Sequence, residues 1–343
     1  MKRTLLVAVL ALAPACAQQR STEAAALAES GEKFIEAGQL ASAREAFERA
    51  LKLDPSQSAA LSGLGFVHFT GGRFNEAQAL LQKAVATRPN SFQARFLLGA
   101  TLVQLNETKA AIRELRVAHT LNPRHADARK LLAAQYAIGR QFQEAMALLE
   151  PVVDARPYDE EVHLLLIDAH QTSGDAAGAF ALALKAAQRF PSSAQVASWL
   201  GFQLEFTGRY DEAKDYLRKA IQLDPSYPVS YQLLADVFLK EENYAEAIAW
   251  FRKAAEKMPE DVETLLGLAK ALVESGEAEQ ALEVLLNAAR VDPKDARVHL
   301  QLSRLHFRMG DESRARQEAE LALKLKNPEP SLVEAPAALR TRR

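Results

Sequence analysis

Two pairs of histidines are the residues of this sequence whose type and spacing could bind a metal ion. His163 and His170 are seven residues apart, as are His299 and His306, so the members of each pair share one face of a helix. No carboxylate or cysteine joins either pair at the spacing of a metal site. We therefore expect these histidines to pack inside helices, and we predict neither a metal nor any other cofactor.

Nucleophilic and phosphate-binding motifs are equally weak. The segment Ser30–Lys33 matches the Ser-x-x-Lys of one class of serine enzymes, but no companion motif follows it. The glycines of Gly63–Phe66 lie in a helical pattern with no preceding strand, so they do not form a dinucleotide-binding loop. A phosphate-binding loop, a His-Glu-x-x-His motif and a nucleophile elbow are all missing from the sequence. The sequence therefore predicts a protein that is not an enzyme.

The first residues have the layout of a secretory signal peptide. Lys2 and Arg3 give a positive start, Leu5–Ala13 is an uninterrupted apolar run, and small residues follow. Nine apolar residues are too few to cross a bilayer, which needs about 20 in a helix. We expect residues 1–15 to be a signal peptide and the protein to be exported.

Cys16 is the single cysteine of the chain, so an internal disulfide is excluded. Its place after the apolar run leaves two alternatives: lipid attachment at Cys16 after cleavage before it, or simple cleavage after Ala17. Lipid attachment would make the protein an outer-membrane lipoprotein facing the periplasm, and simple cleavage a soluble periplasmic or secreted protein. A lipid at Cys16 is the only membrane contact expected.

Composition narrows the class of partner. The chain of 343 residues is 48% hydrophobic and 25% charged, with a formal net charge of −2. It lacks the basic character of a nucleic-acid-binding protein, so no nucleic-acid partner is expected.

Prolines recur every 34 residues without a slip, and this period indicates an array of repeats. The proline column consists of Pro55, Pro89, Pro123, Pro157, Pro191, Pro225, Pro259 and Pro293. An alanine column with the same period consists of Ala43, Ala77, Ala111, Ala145, Ala179, Ala213, Ala247, Ala281 and Ala315. Small residues at such positions let two helices approach closely, and each proline ends the second helix of its unit.

The turns between helices have their own signals. Gly72 ends a first helix that has Leu61, Leu64 and His68 on one face, as expected for a left-handed residue at a helix end. Other turns have the same residue type or Asn106 in this place. Residues two positions after the prolines are expected to cap the next first helix: Ser91, Asp159, Ser193, Asp261 and Asp295.

The 34-residue helix-turn-helix with these columns resembles the tetratricopeptide repeat. The resemblance implies an all-α, right-handed superhelical solenoid of about nine repeats, stacked as one continuous array rather than as two compact domains. A tether is expected over residues 16–23 and an unstructured tail over 330–343. The repeats are expected at 24–57, 58–91, 92–125, 126–159, 160–193, 194–227, 228–261, 262–295 and 296–329. The end after the ninth repeat is either covered by Leu332 and Val333 or available to a partner, including a second copy of the chain.

By the same resemblance, ligands lie along the inner wall, the face formed by the first helices of the repeats. Aromatic residues there suit an extended peptide or an amphipathic helix. Phe69 and Phe206 are expected furthest toward the ligand, whereas Phe66 or Phe202 could instead wedge between repeats. The candidate site residues are Phe66, Phe69, Phe96, Val103, Lys130, Asp168, Gln171, Phe202, Glu205, Phe206, Asp236 and Leu239.

Export and a repeat array that fills the chain together favour a scaffold of the cell envelope. We expect a non-enzymatic adaptor that binds protein or peptide partners, in the assembly of an envelope or surface structure. The alternative is a solenoid that binds a small molecule or a glycan.

Overall fold

The computed structural model describes residues 2–325, with side chains from residue 18 onward. Within that range the chain is all-helical, which confirms the predicted fold class. The eighteen helices are α1 (Lys2–Glu36), α2 (Leu40–Leu53), α3 (Ser58–Thr70), α4 (Phe74–Thr87), α5 (Phe92–Gln104), α6 (Thr108–Leu121), α7 (Ala126–Ile138), α8 (Phe142–Leu149), α9 (Glu160–Ser173), α10 (Ala176–Arg189), α11 (Ala194–Phe206), α12 (Tyr210–Leu223), α13 (Val229–Lys240), α14 (Tyr244–Lys257), α15 (Val262–Glu274), α16 (Ala278–Val291), α17 (Ala296–Arg308) and α18 (Glu312–Leu325).

Each odd-numbered helix packs against the helix that follows it, so nine helix pairs correspond to the nine expected repeats. First helices also touch the first helix of the next pair, as in α3 with α5 and in α11 with α13. Within each of the two units described below, the first helices therefore lie side by side and form an inner wall, and the second helices pack against them.

Small residues are required where the two helices of a pair cross. A Cβ on Gly65 would lie 2.7 Å from Leu81 Cγ, and one on Gly201 would lie 2.6 Å from Leu217 Cγ. Ala77, on the second helix α4, is completely buried. The glycine and alanine columns thus reflect the close approach of two helices, where additional methyl groups would overpack the core.

The predicted turn and cap residues are confirmed. Gly72 has a φ of 71° and Asn106 a φ of 58°, both in the left-handed region. All five predicted caps accept a hydrogen bond from a backbone N–H of the helix that follows, as Asp159 does from Val162.

The chain divides into two units, with the boundary between Leu149 and Glu150. Unit 1 contains α1–α8 and unit 2 contains α9–α18. The uninterrupted 34-residue register predicted one continuous stack and did not anticipate this division. At the boundary, α8 has eight residues where most second helices have fourteen. Pro151 accounts for this early end, because proline lacks the N–H of a helical hydrogen bond and its ring clashes with the preceding turn.

Helix α1 runs without a break from Lys2 to Glu36, so residues 16–23, expected as a tether, are helical here. Side chains 18–23 are exposed, and packing begins at Ala24 and Ala28. The Cys16 side chain, the predicted tail over 330–343 and the two residues proposed to cover the end lie outside the described part. None of the described helices is both long and apolar enough to span a membrane.

Candidate functional site

In unit 1, the predicted aromatic residues form a partly covered wall. Phe66, Phe69 and Phe96 are half-buried, and the Phe69 ring packs edge-on against Phe74 with centroids 5.7 Å apart. Val103, also predicted here, is buried in α5 and offers little surface to a ligand.

A second aromatic group stands at the start of α5. Phe92 and Phe96 stack with their ring planes 3° apart, and the His125 ring lies 5.0 Å from Phe96. Lys130, on α7, is half-buried, and its Nζ lies 3.9 Å from an Asp127 oxygen. The inner wall of unit 1 is thus dominated by aromatic carbon, with Lys130 as its predicted cation.

In unit 2, the two predicted phenylalanines of α11 have different environments. Phe202 is 5% exposed and packs edge-on against Trp199, so it belongs to the core between repeats. Phe206, one helical turn later, is 39% exposed. Leu239 on α13 is half-buried. Phe206 is therefore the phenylalanine of α11 with surface available for a partner.

Several polar side chains on the first helices of unit 2 are buried. Gln203 is buried, and its Nε2 donates to Gln171 Oε1 at 2.9 Å. Asp168, one turn before Gln171 on α9, is also buried. Ser198 and Ser230 join α11 to α13 through hydroxyls 2.8 Å apart. These hydrogen bonds between neighbouring first helices satisfy some of the polar groups that would otherwise be costly to bury, whereas Gln203 Oε1 has no hydrogen-bond partner among the described residues.

Glu205 and Asp236 place acidic groups on the inner wall of unit 2. Glu205 is 6% exposed and forms an ion pair with Lys240 of the next repeat. Asp236 is half-buried, and burial raises its pKa to about 8, with the Glu205 charge adding to the increase. A cation brought next to Asp236 would favour its ionised form.

Histidines of both pairs form hydrogen bonds with neighbouring residues. His163 is buried, its Nδ1–H donates to the Asp159 carbonyl at 2.8 Å, and its Nε2 accepts from Arg189 at 2.7 Å. Burial lowers the pKa of His163, in line with this neutral form. His170 lies 2.7 Å from Asp175, and His299 lies 2.7 Å from Glu318. Within the described residues, no group of three ligand-type side chains could hold a metal ion.

Sequence reasoning missed a cation cluster that follows the boundary at Glu150. The guanidinium of Arg189 lies 4.0 Å from the centre of the Tyr158 ring and 2.7 Å from Asp154. Lys185 also pairs with Asp154, and the two hydrogen bonds from Lys185 and Arg189 lower the pKa of that carboxyl. The off-register Pro151, which ends α8 early, is the sequence signal that could have drawn attention to this segment.

A cavity of about 150 Å³ between α15 and α17 was also missed. Lys270 on α15 and Arg304 on α17 stand at its rim, at the ninth position of their repeats. The repeat spacing could have indicated these two residues, because the same position holds Asp168, Phe202 and Asp236 in the preceding repeats.

Two models described as tetratricopeptide repeat match the chain. One matches residues 34–94, 71–134 and 238–299, and the other matches 192–260. The matched segments together cover more than half of the chain.

Curated relatives are similar over long stretches at low identity. Cellulose synthase operon protein C of Pseudomonas fluorescens (strain SBW25) is 25% identical over 347 residues, which is 93% of this chain and 26% of that protein. Human protein O-mannosyl-transferase TMTC1 is 25% identical over 225 residues, which is 63% of this chain and 25% of that protein. The chain thus spans about a quarter of the length of these relatives.

Among solved structures, a tetratricopeptide repeat protein from Parabacteroides merdae ATCC 43184 is 16% identical, with a TM-score of 0.47. The match covers 88% of this chain and 99% of that one. MamA from Desulfovibrio magneticus RS-1 is 19% identical with a TM-score of 0.44, over 50% of this chain and 97% of that one.

Proposed function

Because the chain belongs to the tetratricopeptide repeat family, we propose that it is a non-enzymatic scaffold of the cell envelope that binds protein segments on its inner walls. The fold is in general a protein-binding scaffold, and the family matches give no positive indication of catalysis. What the proposal adds is the location in the envelope and the binding of peptide segments or helices at named residues.

The exposed Phe206 carries the proposal. Most large apolar residues of α11 are buried, whereas this ring keeps 39% of its surface exposed. An exposed aromatic side chain on a helical wall gains free energy when an apolar partner covers it. Phe69 gives the inner wall of unit 1 a similar, smaller contact surface.

Site-specific photo-cross-linking tests this proposal. A benzophenone amino acid replaces Phe69, Phe206 or, as a matched control, Leu286, which is 48% exposed on the second helix α16. We expect the same cross-linked protein band from cells at Phe206 or Phe69, and none at Leu286. Equal cross-linking at all three positions would contradict binding on the inner walls.

A substitution supplies the second half of the test. Phe206→Ala is expected to weaken binding of the identified partner by about 1–3 kcal/mol, which is roughly 5- to 150-fold. Leu286→Ala is expected to change it less than about twofold. If the variant instead loses affinity for an envelope glycan and for no protein, the chain is a glycan-binding solenoid.

The envelope location rests on the first residues of the sequence. Lys2 and Arg3, the apolar run after them and Cys16 have the order of an exported, lipid-anchored protein. Labelling cells with a fatty-acid probe should mark the wild-type protein and leave Cys16→Ser unmarked. An unlabelled wild-type protein in the periplasmic fraction would be consistent with export but would contradict the lipid anchor. An unlabelled protein in the cytoplasm would contradict both export and the anchor.

A further inference from the structure

The cavity between α15 and α17 combines cations at its rim with an apolar floor. Its lining residues are Ala269, Lys270, Val273, Glu274, Leu285, Gln301, Arg304, Leu305 and Arg308. Leu285 and Leu305 are buried, so the floor is hydrocarbon, and Lys270 and Arg304 are exposed. A cavity of about 150 Å³ has the scale of one side chain rather than of a cofactor.

The cations of the rim differ in how they are paired. Arg308 lies 3.8 Å from Glu274, which is part of the same rim. Across residues 18–325, by contrast, neither Lys270 nor Arg304 has a hydrogen bond or an ion pair, and the charge of Lys270 acts only at longer range on Asp236, whose pKa it lowers. The rim therefore carries more positive charge than its one carboxylate can balance, and a negatively charged group would be attracted to it.

The preceding repeats restrict what that negatively charged group can belong to. Asp168 and Asp236 occupy, on α9 and α13, the position that Lys270 and Arg304 occupy on α15 and α17. Glu205 adds a carboxylate on α11. Asp236 keeps its proton near neutral pH because its pKa is about 8, but a long polyanion laid along this wall would still meet Asp168 and Glu205, so the complementary ligand is acidic only over a short stretch.

We propose that the cavity between α15 and α17 binds a short acidic stretch of the partner protein, with a Glu or Asp side chain between Lys270 and Arg304 and an adjacent apolar side chain on the floor. This inference rests on the proposed function, because it specifies the chemistry of the segment that the inner wall of unit 2 receives. It also sets the orientation of that segment, with its acidic part at the last two repeats.

Model peptides test the proposal without knowledge of the natural partner. The probes are fluorescent ten-residue peptides containing Leu with Glu, Leu with Gln, or Leu with Lys, measured by fluorescence anisotropy at low salt. We expect the Leu/Glu peptide to bind at least about tenfold more tightly than the Leu/Gln peptide, and the Leu/Lys peptide to show no binding at this cavity. Equal affinity of the first two peptides would overturn the proposal.

Matched charge changes locate the binding. The double variant Lys270→Glu/Arg304→Glu is expected to reduce affinity for the Leu/Glu peptide at least about tenfold. The control Arg290→Glu/Lys294→Glu makes the same charge change at two exposed residues away from the cavity and should reduce it less than about threefold. Similar losses of affinity in both double variants would show a general effect of charge and would contradict binding at this cavity. Lys270→Gln/Arg304→Gln, with the Tm of each variant, separates loss of binding from loss of folding.

Two further outcomes keep this inference distinct from the proposed function. If single-stranded DNA or inorganic polyphosphate displaces the Leu/Glu peptide at equal charge concentration, the cavity selects anions in general, and the assignment to an acidic protein segment is wrong. If the natural partner still cross-links at Phe206 while Lys270→Glu/Arg304→Glu leaves its affinity unchanged, the scaffold function remains and this inference is overturned.

Discussion

The inner walls of the two units are built from the same repeat but differ in chemistry. In unit 1 the ninth position of repeats two to four is apolar: Phe66, Ala100 and Ala134. In unit 2 the same position holds an ionisable residue in four of five repeats: Asp168, Asp236, Lys270 and Arg304. The contacts within helix pairs are alike in both units, with alanines and glycines under the large residues. The repeat pattern therefore determines the packing and leaves the inner wall free to vary.

The polar wall of unit 2 has an energetic requirement that the wall of unit 1 lacks. Glu205 and Gln203 are buried and need partners from neighbouring helices, which Lys240 and Gln171 provide. At the twelfth position of repeats two and three, unit 1 has Phe69 and Val103, which need no partner. We expect substitutions in the pair cores to affect both units equally and substitutions in the inner wall to affect unit 2 more.

The largest expected effect tests whether the two pair cores are equivalent. Phe47 in unit 1 and Phe251 in unit 2 are completely buried, and each lies where a glycine on the first helix of the next repeat, Gly63 or Gly267, leaves room for its ring. Phe47→Ala and Phe251→Ala should each reduce the free energy of unfolding of their unit by about 3–5 kcal/mol. Hydrogen exchange resolved by residue measures the loss in each unit. A much smaller loss for Phe251→Ala would mean that the polar wall, not the apolar core, stabilises unit 2.

An intermediate effect is expected from the ion pair of the inner wall. Lys240→Met leaves the buried Glu205 carboxylate without its cation and should reduce the stability of unit 2 by about 1–3 kcal/mol. Gln104→Met, at the equivalent position of unit 1, faces no carboxylate on α3 or α5 and should change stability by less than about 0.5 kcal/mol. Urea unfolding of both variants checks the difference. Equal changes in the free energy of unfolding for the two variants would contradict the expected difference between the two inner walls.

The smallest expected effect is an increase in the free energy of unfolding, and it depends on pH. An unfolded Asp ionises near pH 4, whereas the pKa of folded Asp236 is about 8, so the folded state holds more protons between these values. The free energy of unfolding should therefore fall as the pH rises from 4 to 8. Asp236→Asn removes this pH-dependent loss of stability and should raise the free energy of unfolding of unit 2 by about 1 kcal/mol at pH 8. This is less than the full pKa shift of Asp236 would give, because its side chain is half-buried.

Thermal unfolding at the two pH values measures this difference. A Tm higher than that of the wild type by about 2–4 °C at pH 8, and equal to it at pH 4, is the expected result. Ser198→Ala, in the same wall but uncharged, serves as the pH-independent control. An equal difference at both pH values would show that the effect of Asp236→Asn is not one of ionisation.

Much of the fold was predictable because its signals are local and repeated. Gly72, Asn106 and the five caps were predicted from residue type and spacing, and the structure confirms each conformation or hydrogen bond. The division at Leu149 was not predicted, although Pro151 provides its signal. A proline outside the repeat column changes no period, yet it removes a helical hydrogen bond and ends α8 early.

The candidate site was predictable only in part, because burial depends on neighbouring helices. Phe202 and Phe206 are four residues apart on one face of α11, and the sequence cannot tell which of them the next repeat covers. The structure puts Phe202 against Trp199 and leaves Phe206 exposed. The same limit applies to Asp236, whose pKa depends on side chains that its own helix does not supply.

By itself, the sequence determined the helix pairs, their number and their turns, because 34-residue spacing and small residues directly reflect the close contact of two helices. The tertiary structure alone decided which side chains remain available for binding and which carboxylate keeps its proton. Exposure and pKa depend on how three successive first helices enclose a side chain. The arrangement of these helices cannot be read from the sequence of any one repeat.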